Sequence, residues 1–387
     1  MNQYYADLHI HIGRTMSGKP VKITGAKSLT FTNIIEHSRN EKGLNMIGII
    51  DCHSPEVIIE IEQLIKTGDV TQHVDGGLMF GDLTIIPGSE LEIYDENCKG
   101  PIHVLCFFPS IDIMKEFSLW LSQHLKNITL SSQRIYATGL ELQYKVKELG
   151  GLFIPAHVFT PFKSLYGKGV NYSLTEVFNK EQIDAIELGL SSDTNMADQI
   201  KELHNYSFIT NSDAHSLKKI AREYQILSLK EPTFKELEKA LKGKDGRKVK
   251  ANYGLDPLLG KYHGTTCAQC FEPAVPNSKV CKHCNSTKFV KGVADRIAEL
   301  KTASSSPVNR AVYIHQVPLE FIPGLGPKML EKLLNHFGTE MAILHQVPFE
   351  QLAEIIPPKL AELIVKAREG KLSLTAGGGG KYGKIAD

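Results

Sequence analysis

Residues 4–11 read Tyr-Tyr-Ala-Asp-Leu-His-Ile-His, a short apolar run that closes on two histidines. Its length and composition suit a buried strand. On extended backbone, residues two apart point to the same side, so His9 and His11 leave the strand end as a pair. The pattern recurs along the next two hundred residues. Apolar runs follow at 46–50, 83–87, 102–108, 152–155, 185–188 and 207–210. Asp51 and His53 end the second run, Glu90 follows the third, and His103 lies in the fourth. His157 closes the fifth as PAH, Glu187 lies in the sixth, and Asp213 and His215 end the seventh as SDAH. Helix-compatible stretches separate the runs, among them 114–126, 133–149 and 196–205. Seven such units predict a closed α/β barrel of parallel strands rather than an open sheet. In a barrel of that kind the C-terminal strand ends converge on one mouth, where active sites are built.

A lone histidine beside an apolar run is more often a satisfied core or loop residue than a ligand. Eight or nine imidazoles and carboxylates arriving in register are not independent accidents, and they predict a multinuclear metal site. The metal set is His9, His11, His53, Glu90, His103, His157, Asp213 and His215, with His9, His11, Glu90 and Asp213 at the catalytic centre. Mixed nitrogen and oxygen ligands without thiolate suit two or three divalent ions and do not choose among Zn, Mn, Mg and Fe. Such ions activate water and neutralise phosphate oxygens during an in-line displacement. Asp7, Asp51 and Glu187 are read as carboxylates that orient the histidines. Arg14 and Lys19 are candidates to meet a phosphate or simply surface residues. No serine elbow, cysteine nucleophile or P-loop is present, which disfavours a kinase or an ATPase.

The net charge of the 387 residues is only +1, but it is unevenly spread. Residues 1–238 carry 22 Lys and Arg against 30 Asp and Glu, whereas residues 239–301 carry 13 against 5. An acidic body that holds cations, joined to a basic middle that meets a polyanion, accounts for this. Charge alone suits a solvated linker equally well. Within the basic segment, Cys267-x2-Cys270 and Cys281-x2-Cys284 offer four thiolates from two tight turns, enough to close a tetrahedral structural zinc site. His283 lies inside the second turn, and Cys52, Cys98 and Cys106 read as ordinary residues. Two CxxC pairs within seven cysteines are not a disulfide framework. The N-terminal MNQYYADLHIH lacks the n- and h-regions of a signal peptide, and no apolar run approaches a membrane span. A reducing, cytoplasmic location and no membrane partner are expected.

Further along, 321–328 reads FIPGLGPK and precedes MLEKLLNHFG, a pattern that resembles a helix-hairpin-helix element. Gly324 and Gly326 would expose backbone N–H groups at a helix start, a ready phosphate site, with Lys328 beside them. A second, degenerate copy, LAEIIPPKLAELI at 352–364, has Pro357 and Pro358 in place of the glycines and so packs rather than binds. Lys282 and Lys288 flank the cysteines as further DNA-contact candidates. Three regions are therefore expected: a barrel over 1–242, a basic connector (242–250) with the zinc module over 243–302, and an all-α helix-hairpin-helix-like region over 303–387 with a glycine-rich tail at 377–380.

The first ~240 residues resemble the PHP phosphoesterase superfamily, whose signature segments are HxH, an Asp-x-His or DH, a Glu, a lone His and a terminal DxH. The resemblance implies a distorted seven-stranded barrel carrying three metals. By position, His9, His11, Glu90 and Asp213 would hold the first ion, Glu90, His103 and His157 the second, and His53 and His215 the third. One departure stands out. Many members carry another His or Asp shortly after HxH, where this chain reads GRTMSGK, so the third ion would be weakly held, rich in water, or helped by Asp51. The order of modules, the connector GLDPLLGKYHG (254–264) and the tail GGGGKYG (377–383) are similar to the endonuclease Q family. That likeness implies a DNA repair endonuclease hydrolysing the phosphodiester 5′ to uracil, hypoxanthine or an abasic site, with the damaged nucleotide drawn out of double- or single-stranded DNA. Its pocket is sought between the barrel mouth and the zinc module, near Tyr253 and Tyr262. The barrel alone leaves room for a small-molecule phosphatase, a nucleotide phosphoesterase or a 3′-5′ exonuclease.

Overall fold

A computed structural model describes residues 1–260, 262–275, 278–372, 374–375 and 384–385. The glycine-rich tail at 377–380 lies outside the described residues. The seven apolar runs form strands β1 (Asn2–Ile10), β2 (Met46–Ile49), β3 (Leu83–Ile93), β4 (Ile102–Phe107), β5 (Leu152–Pro155), β6 (Ile186–Glu187) and β7 (Phe208–Ile209). Neighbours β1 to β5 pair in chain order, and β6 pairs with β7. Hydrogen bonds from Asp184 N to Phe153 O at 3.0 Å and from Val158 N to Glu187 O at 3.1 Å join β5 to β6. A parallel bridge between Ile10 and Ala214 returns the last strand to the first and closes the ring.

The prediction of seven parallel strands fails at one of them. β4 runs antiparallel to both β3 and β5. The reversal explains why His103 sits at the start of its run while the other ligands follow theirs: the start of a reversed strand lies at the same mouth as its neighbours' ends.

Side chains divide into two layers. Ala6, Leu8, Met46, Ile86, Leu105, Phe107, Ile154, Ala185 and Ile209 form one buried cluster inside the ring, closed by residues of α5 (Phe234–Leu241). Ile47, Ile49, Ile85, Val104 and Phe153 face outward and pack beneath the helices, including α1 (Phe31–His37), α2 (Pro55–Thr67), α3 (Ile111–Ser122) and α4 (Gly139–Glu148). Period-two alternation then aims the ligands. Glu90 shares the inward parity of Ile86, His103 that of Leu105 and Phe107, Glu187 that of Ala185, and Asp213 that of Ile209. β1 is the exception. Its register against β2 shifts between Asp7 and Ile10, so Leu8 belongs to the inner cluster and Ile10 to the outer one. The irregularity turns the next odd-numbered pair, His9 and His11, toward the mouth.

Beyond the ring the sheet continues through β8 (Tyr224–Leu229), β9 (Lys248–Gly254) and, after the zinc module, β10 (Val312–His315). The connector expected over 242–250 is thus a strand in its second part. Val249 and Ala251 are buried while Lys248 and Lys250 are exposed, an alternation hidden by the density of charge. Of the helix predicted over 196–205, only one turn at Thr194–Ala197 and a 3-10 segment at Lys201–Asn205 form. Past the cysteines lie α6 (Val293–Leu300) and then α7 (Pro327–Phe337), α8 (Glu340–His345), α9 (Phe349–Ile355) and α10 (Pro358–Arg368). The C-terminal helices dock on the barrel through a partly buried Lys42–Glu340 pair at 2.8 Å and through His345, whose ring stacks on Tyr5 and bonds to the Tyr224 hydroxyl at 2.7 Å. No helix among the described residues is long and apolar enough to cross a membrane.

Candidate metal centre

At the mouth, His9, His11 and Glu90 are completely or almost completely buried. The His9 Nδ1 atom faces Glu187 Oε1 at 2.9 Å, and His11 Nδ1 faces Asp51 Oδ2 at 3.0 Å. Each carboxylate accepts the Nδ1 proton, which leaves the lone pair on Nε2. Those two Nε2 atoms have no hydrogen-bond partner, although both are buried. Instead they look at carboxylate oxygens: His9 Nε2 lies 3.6 Å from Glu90 and 3.5 Å from Asp213, and His11 Nε2 lies 3.6 Å and 3.4 Å from the same residues. A lone pair facing an anion is unfavourable unless a cation sits between them. Two ligand atoms about 2.1 Å from one ion at the tetrahedral angle are ~3.4 Å apart, so the spacing fits a shared divalent ion.

A second set meets on the other side of Glu90. His103 Nδ1 is 2.8 Å from Glu90 Oε1, and His157 Nε2 is 3.4 Å from the same oxygen. Glu90 thus belongs to both sets and can bridge them. His215 Nε2 adds a flank, 3.3 Å from Asp213 Oδ1. The electrostatics agree with cation binding. Burial opposes charge on His9, yet Glu187, Asp213 and Glu90 outweigh it and push its pKa up to about 10. Burial likewise works against the Glu90 and Asp213 anions, but His103 and Lys22 around the first, and His9, His11 and His215 around the second, hold both well below the usual carboxylate range.

Backbone geometry is bent to achieve this. His157 and Asp213 have φ of 32° and 45°, in the left-handed region that bulky residues avoid. Gly189, with φ of 75°, lies against His157; a Cβ there would come within 2.6 Å of the His157 Cβ.

The structure places several candidate site residues outside these ligand sets. His53 does not join the cluster. It is fully buried, Nδ1 bonds to Ser89 Oγ at 2.8 Å, Nε2 lies 3.3 Å from Leu130 O, and burial lowers its pKa. The chain here is held against β3, with Asp51 bridged to Ser89 and Cys52 N bonded to Gly88 O. Asp7 orients no imidazole; it accepts the N–H groups of Ser212 and Ala221 at 3.1 and 2.9 Å, and so fixes the loop that carries Asp213. Arg14 donates to Gly13 O, the exposed Lys19 pairs with Glu56, and neither lines the cavity. Tyr253 stacks on Tyr224 in the packing layer.

The mouth opens into a cavity of about 430 Å³ whose wall includes Glu90, His103, His157, Asp213 and His215 together with Lys22, Asn211, Phe162 and Tyr262, while His9 and His11 lie behind it. Phe162 and Tyr262 meet edge to face at 5.4 Å. Lys22 was not legible as a site residue. Its Nζ lies 3.3 Å from Glu90 Oε2 and 2.6 Å from Ser132 Oγ, and Ser132 itself donates to Glu90. Both come from irregular loops without periodicity, so no local signal marks them.

The four cysteines of the zinc module converge as their spacing predicts. Cys267 and Cys284 sulfurs are 3.5 Å apart, as are those of Cys270 and Cys281, and all four lie within 4.8 Å of one another. His283 is exposed and outside the set. The module is tied to the barrel by Arg296, which donates to the carbonyls of Tyr166, Val170 and Asn171. Lys282 and Lys288 are exposed beside it. In the hairpin before α7, Gly324 has φ of 83°, and the N–H groups of Leu325 and Gly326 are used internally. Those of Gly324 and Lys328 have no acceptor among the described residues. The second hairpin begins α10 with Pro357 and Pro358, which carry no N–H at all.

No protein-family model matches the chain. Over 385 residues it is 59% identical to the YqxK protein of Bacillus subtilis, covering 100% of both. Among solved structures it is similar to the lesion-specific endonuclease PfuEndoQ of Pyrococcus furiosus, with a TM-score of 0.85, 34% identity, and coverage of 99% of this chain and 95% of that one. It is also similar to an endonuclease Q in complex with a 27-mer duplex bearing an abasic lesion at the active site, with a TM-score of 0.84, 33% identity, and coverage of 99% and 96%.

Proposed function

The chain belongs to the endonuclease Q family, and from that premise we propose that it cuts the DNA phosphodiester on the 5′ side of uracil, hypoxanthine and abasic sites. The observation that carries the reading is the cavity. Its wall offers Glu90, His103, His157, Asp213 and His215, with His9 and His11 behind Glu90, while Phe162 and Tyr262 on the same wall form an aromatic edge for a nucleotide drawn out of the duplex. His9, His11, Glu90 and Asp213 would hold one divalent ion, and Glu90, His103 and His157 the other. Bound there, such ions activate water and neutralise the oxygens of a phosphate.

The chain's own residues do the positioning. Glu187 and Asp51 fix His9 and His11 in the tautomer that leaves Nε2 free. Burial of the ligand set excludes bulk water on the inner side, so only the cavity side admits substrate. Water oxygen bonds to phosphorus, the phosphorus–O3′ bond breaks, and O3′ takes a proton, which leaves a 3′-hydroxyl and a 5′-phosphate on the lesion side. Lys282 and Lys288 on the zinc module, with Gly324, Gly326 and Lys328 at the first hairpin, are proposed to contact the DNA backbone, the lysines by charge and the hairpin through the free N–H groups of Gly324 and Lys328, with Gly326 shaping the turn.

A labelled duplex with one deoxyuridine, incubated with protein and Mn²⁺ beside an Asp213→Ala variant, tests this. Scission one bond 5′ of the uracil is expected, with undamaged duplex and the variant uncut. Phosphate release from small monoesters with the duplex left whole would instead favour a small-molecule phosphatase.

A further inference from the structure

Two of the mouth histidines are steadied by a carboxylate on the nitrogen that faces away from the ligand set: Glu187 behind His9 and Asp51 behind His11. The fold supplies a third carboxylate in the same relation to His103. Glu92 lies two residues beyond Glu90 on β3 and shares its inward face. In the antiparallel register it stands directly opposite His103 on β4, where cross-strand side chains meet. Its Oε2 is 3.6 Å from His103 Nε2, a buried nitrogen with no hydrogen-bond partner. The other ring nitrogen, Nδ1, is 2.8 Å from Glu90 Oε1, the oxygen that His157 Nε2 also faces at 3.4 Å. His103 is therefore turned round relative to His9 and His11: it offers Nδ1 to the ligand set and keeps Nε2 for the outside.

Ligand spacing brings Glu92 and His103 together once an ion is held. Two ligand atoms that share a divalent ion stand ~3.4 Å apart. Metal uptake therefore widens the 2.8 Å gap between His103 and Glu90 and moves the ring toward Glu92. The Nε2 proton then comes within reach of Oε2. Glu92 is held ready by Lys163, whose ammonium is 2.9 Å from the same oxygen and whose carbonyl accepts the His103 N–H at 2.9 Å. Lys163 is half-exposed and lines the cavity, so this support, unlike Glu187 and Asp51, is anchored on the substrate side. Resting on the reading of the mouth as a metal-dependent nuclease centre, we infer that Glu92 is the positioning residue of His103: it accepts the Nε2 proton and so presents Nδ1 to the ion that Glu90 and His157 share.

The place of one proton and the strength of metal binding test this without DNA. In the Zn²⁺-loaded full-length protein, NMR of nitrogen-labelled histidines should find the His103 proton on Nε2, and those of His9 and His11 on Nδ1. A His103 proton on Nδ1 would overturn the inference. In calorimetric titrations with Mn²⁺, Glu92→Ala should weaken one binding step about 10–100-fold, the usual consequence of losing a ligand's outer partner, and leave the rest of the mouth and the cysteine zinc unchanged. Glu92→Gln has nearly the same shape and keeps an acceptor without the charge, so it should recover part of that loss. Unchanged affinity in Glu92→Ala, equal weakening of every step, or a Glu92→Gln protein no better than Glu92→Ala would each overturn the assignment. Proteins that pass both tests yet leave lesion duplexes whole would sink the substrate reading and leave the role of Glu92 standing.

Discussion

Two metal-ligand sets sit within one chain and are built in opposite ways. The cysteine set is drawn from residues 267 to 284, two turns of one local segment, and its four thiolates close the coordination shell. The mouth set spans His9 to His215, comes from strands on every side of the ring, and opens on one side to a cavity. The first can be a staple and nothing else, because no position is left for substrate. The second leaves room for chemistry, and that openness has to be maintained by outer supports: Glu187 behind His9, Asp51 behind His11, and Asp7 under the Asp213 loop.

The largest expected effect separates the two sets. Glu90→Ala removes the carboxylate common to both halves of the mouth and should lower the cutting rate by at least ~10³-fold, as loss of a central electrostatic group does, while the cysteine zinc stays. Cys281→Ser should do the reverse, losing zinc while the barrel keeps its ions. Elemental analysis of both variants beside their cutting rates checks this; a Cys281→Ser barrel stripped of metal would erase the distinction.

A smaller effect comes from shape alone. Gly189→Ala sets a methyl group against His157, which must move, and the rate should fall roughly 10–100-fold, the usual consequence of disturbing a ligand's support. The melting temperature should fall as well, since alanine at φ of 75° is strained. A Gly189→Ala protein with full activity would show that His157 needs no such fixed placement.

The smallest effect contrasts a carboxyl outside the mouth with those inside it. Glu223 is fully buried and belongs to neither ligand set, and desolvation, outweighing the Leu255 N–H and Arg222, raises its pKa to about 8. The folded protein therefore keeps a proton that the unfolded chain releases near 4.5. Its contribution to stability is fully present below that value and is lost as pH rises through about 8, at about 1.4 kcal/mol per unit while the two states differ. Melting temperature should decline over this window, and Glu223→Gln should flatten the decline without altering cutting. An unchanged slope in the variant would place the titrating group elsewhere.

Much of this was readable in one dimension. HIH, SDAH, PAH and the CxxC pairs are short motifs whose chemistry is carried by spacing, and buried strands announce themselves by apolar runs. Strand direction was not readable. The run at 102–108 looks the same whichever way it points, and only pairing with β3 and β5 reverses it and brings His103 to the mouth. The strand at Lys248–Gly254 was masked by its lysines, whose side chains face away from the packed layer.

What the sequence alone determined is the inventory: seven strand runs, a ligand-rich end to nearly every one, a four-thiolate staple and two helical hairpins of which one has lost its donors. Only the tertiary structure decided which residues share an ion. It withdrew His53 and brought Lys22 and Ser132 from irregular loops onto Glu90. The reason is physical: composition and period report what a residue can bind and which face it occupies. Whether its lone pair is still free depends on contacts between residues far apart in the chain, which exist only once the ring has closed.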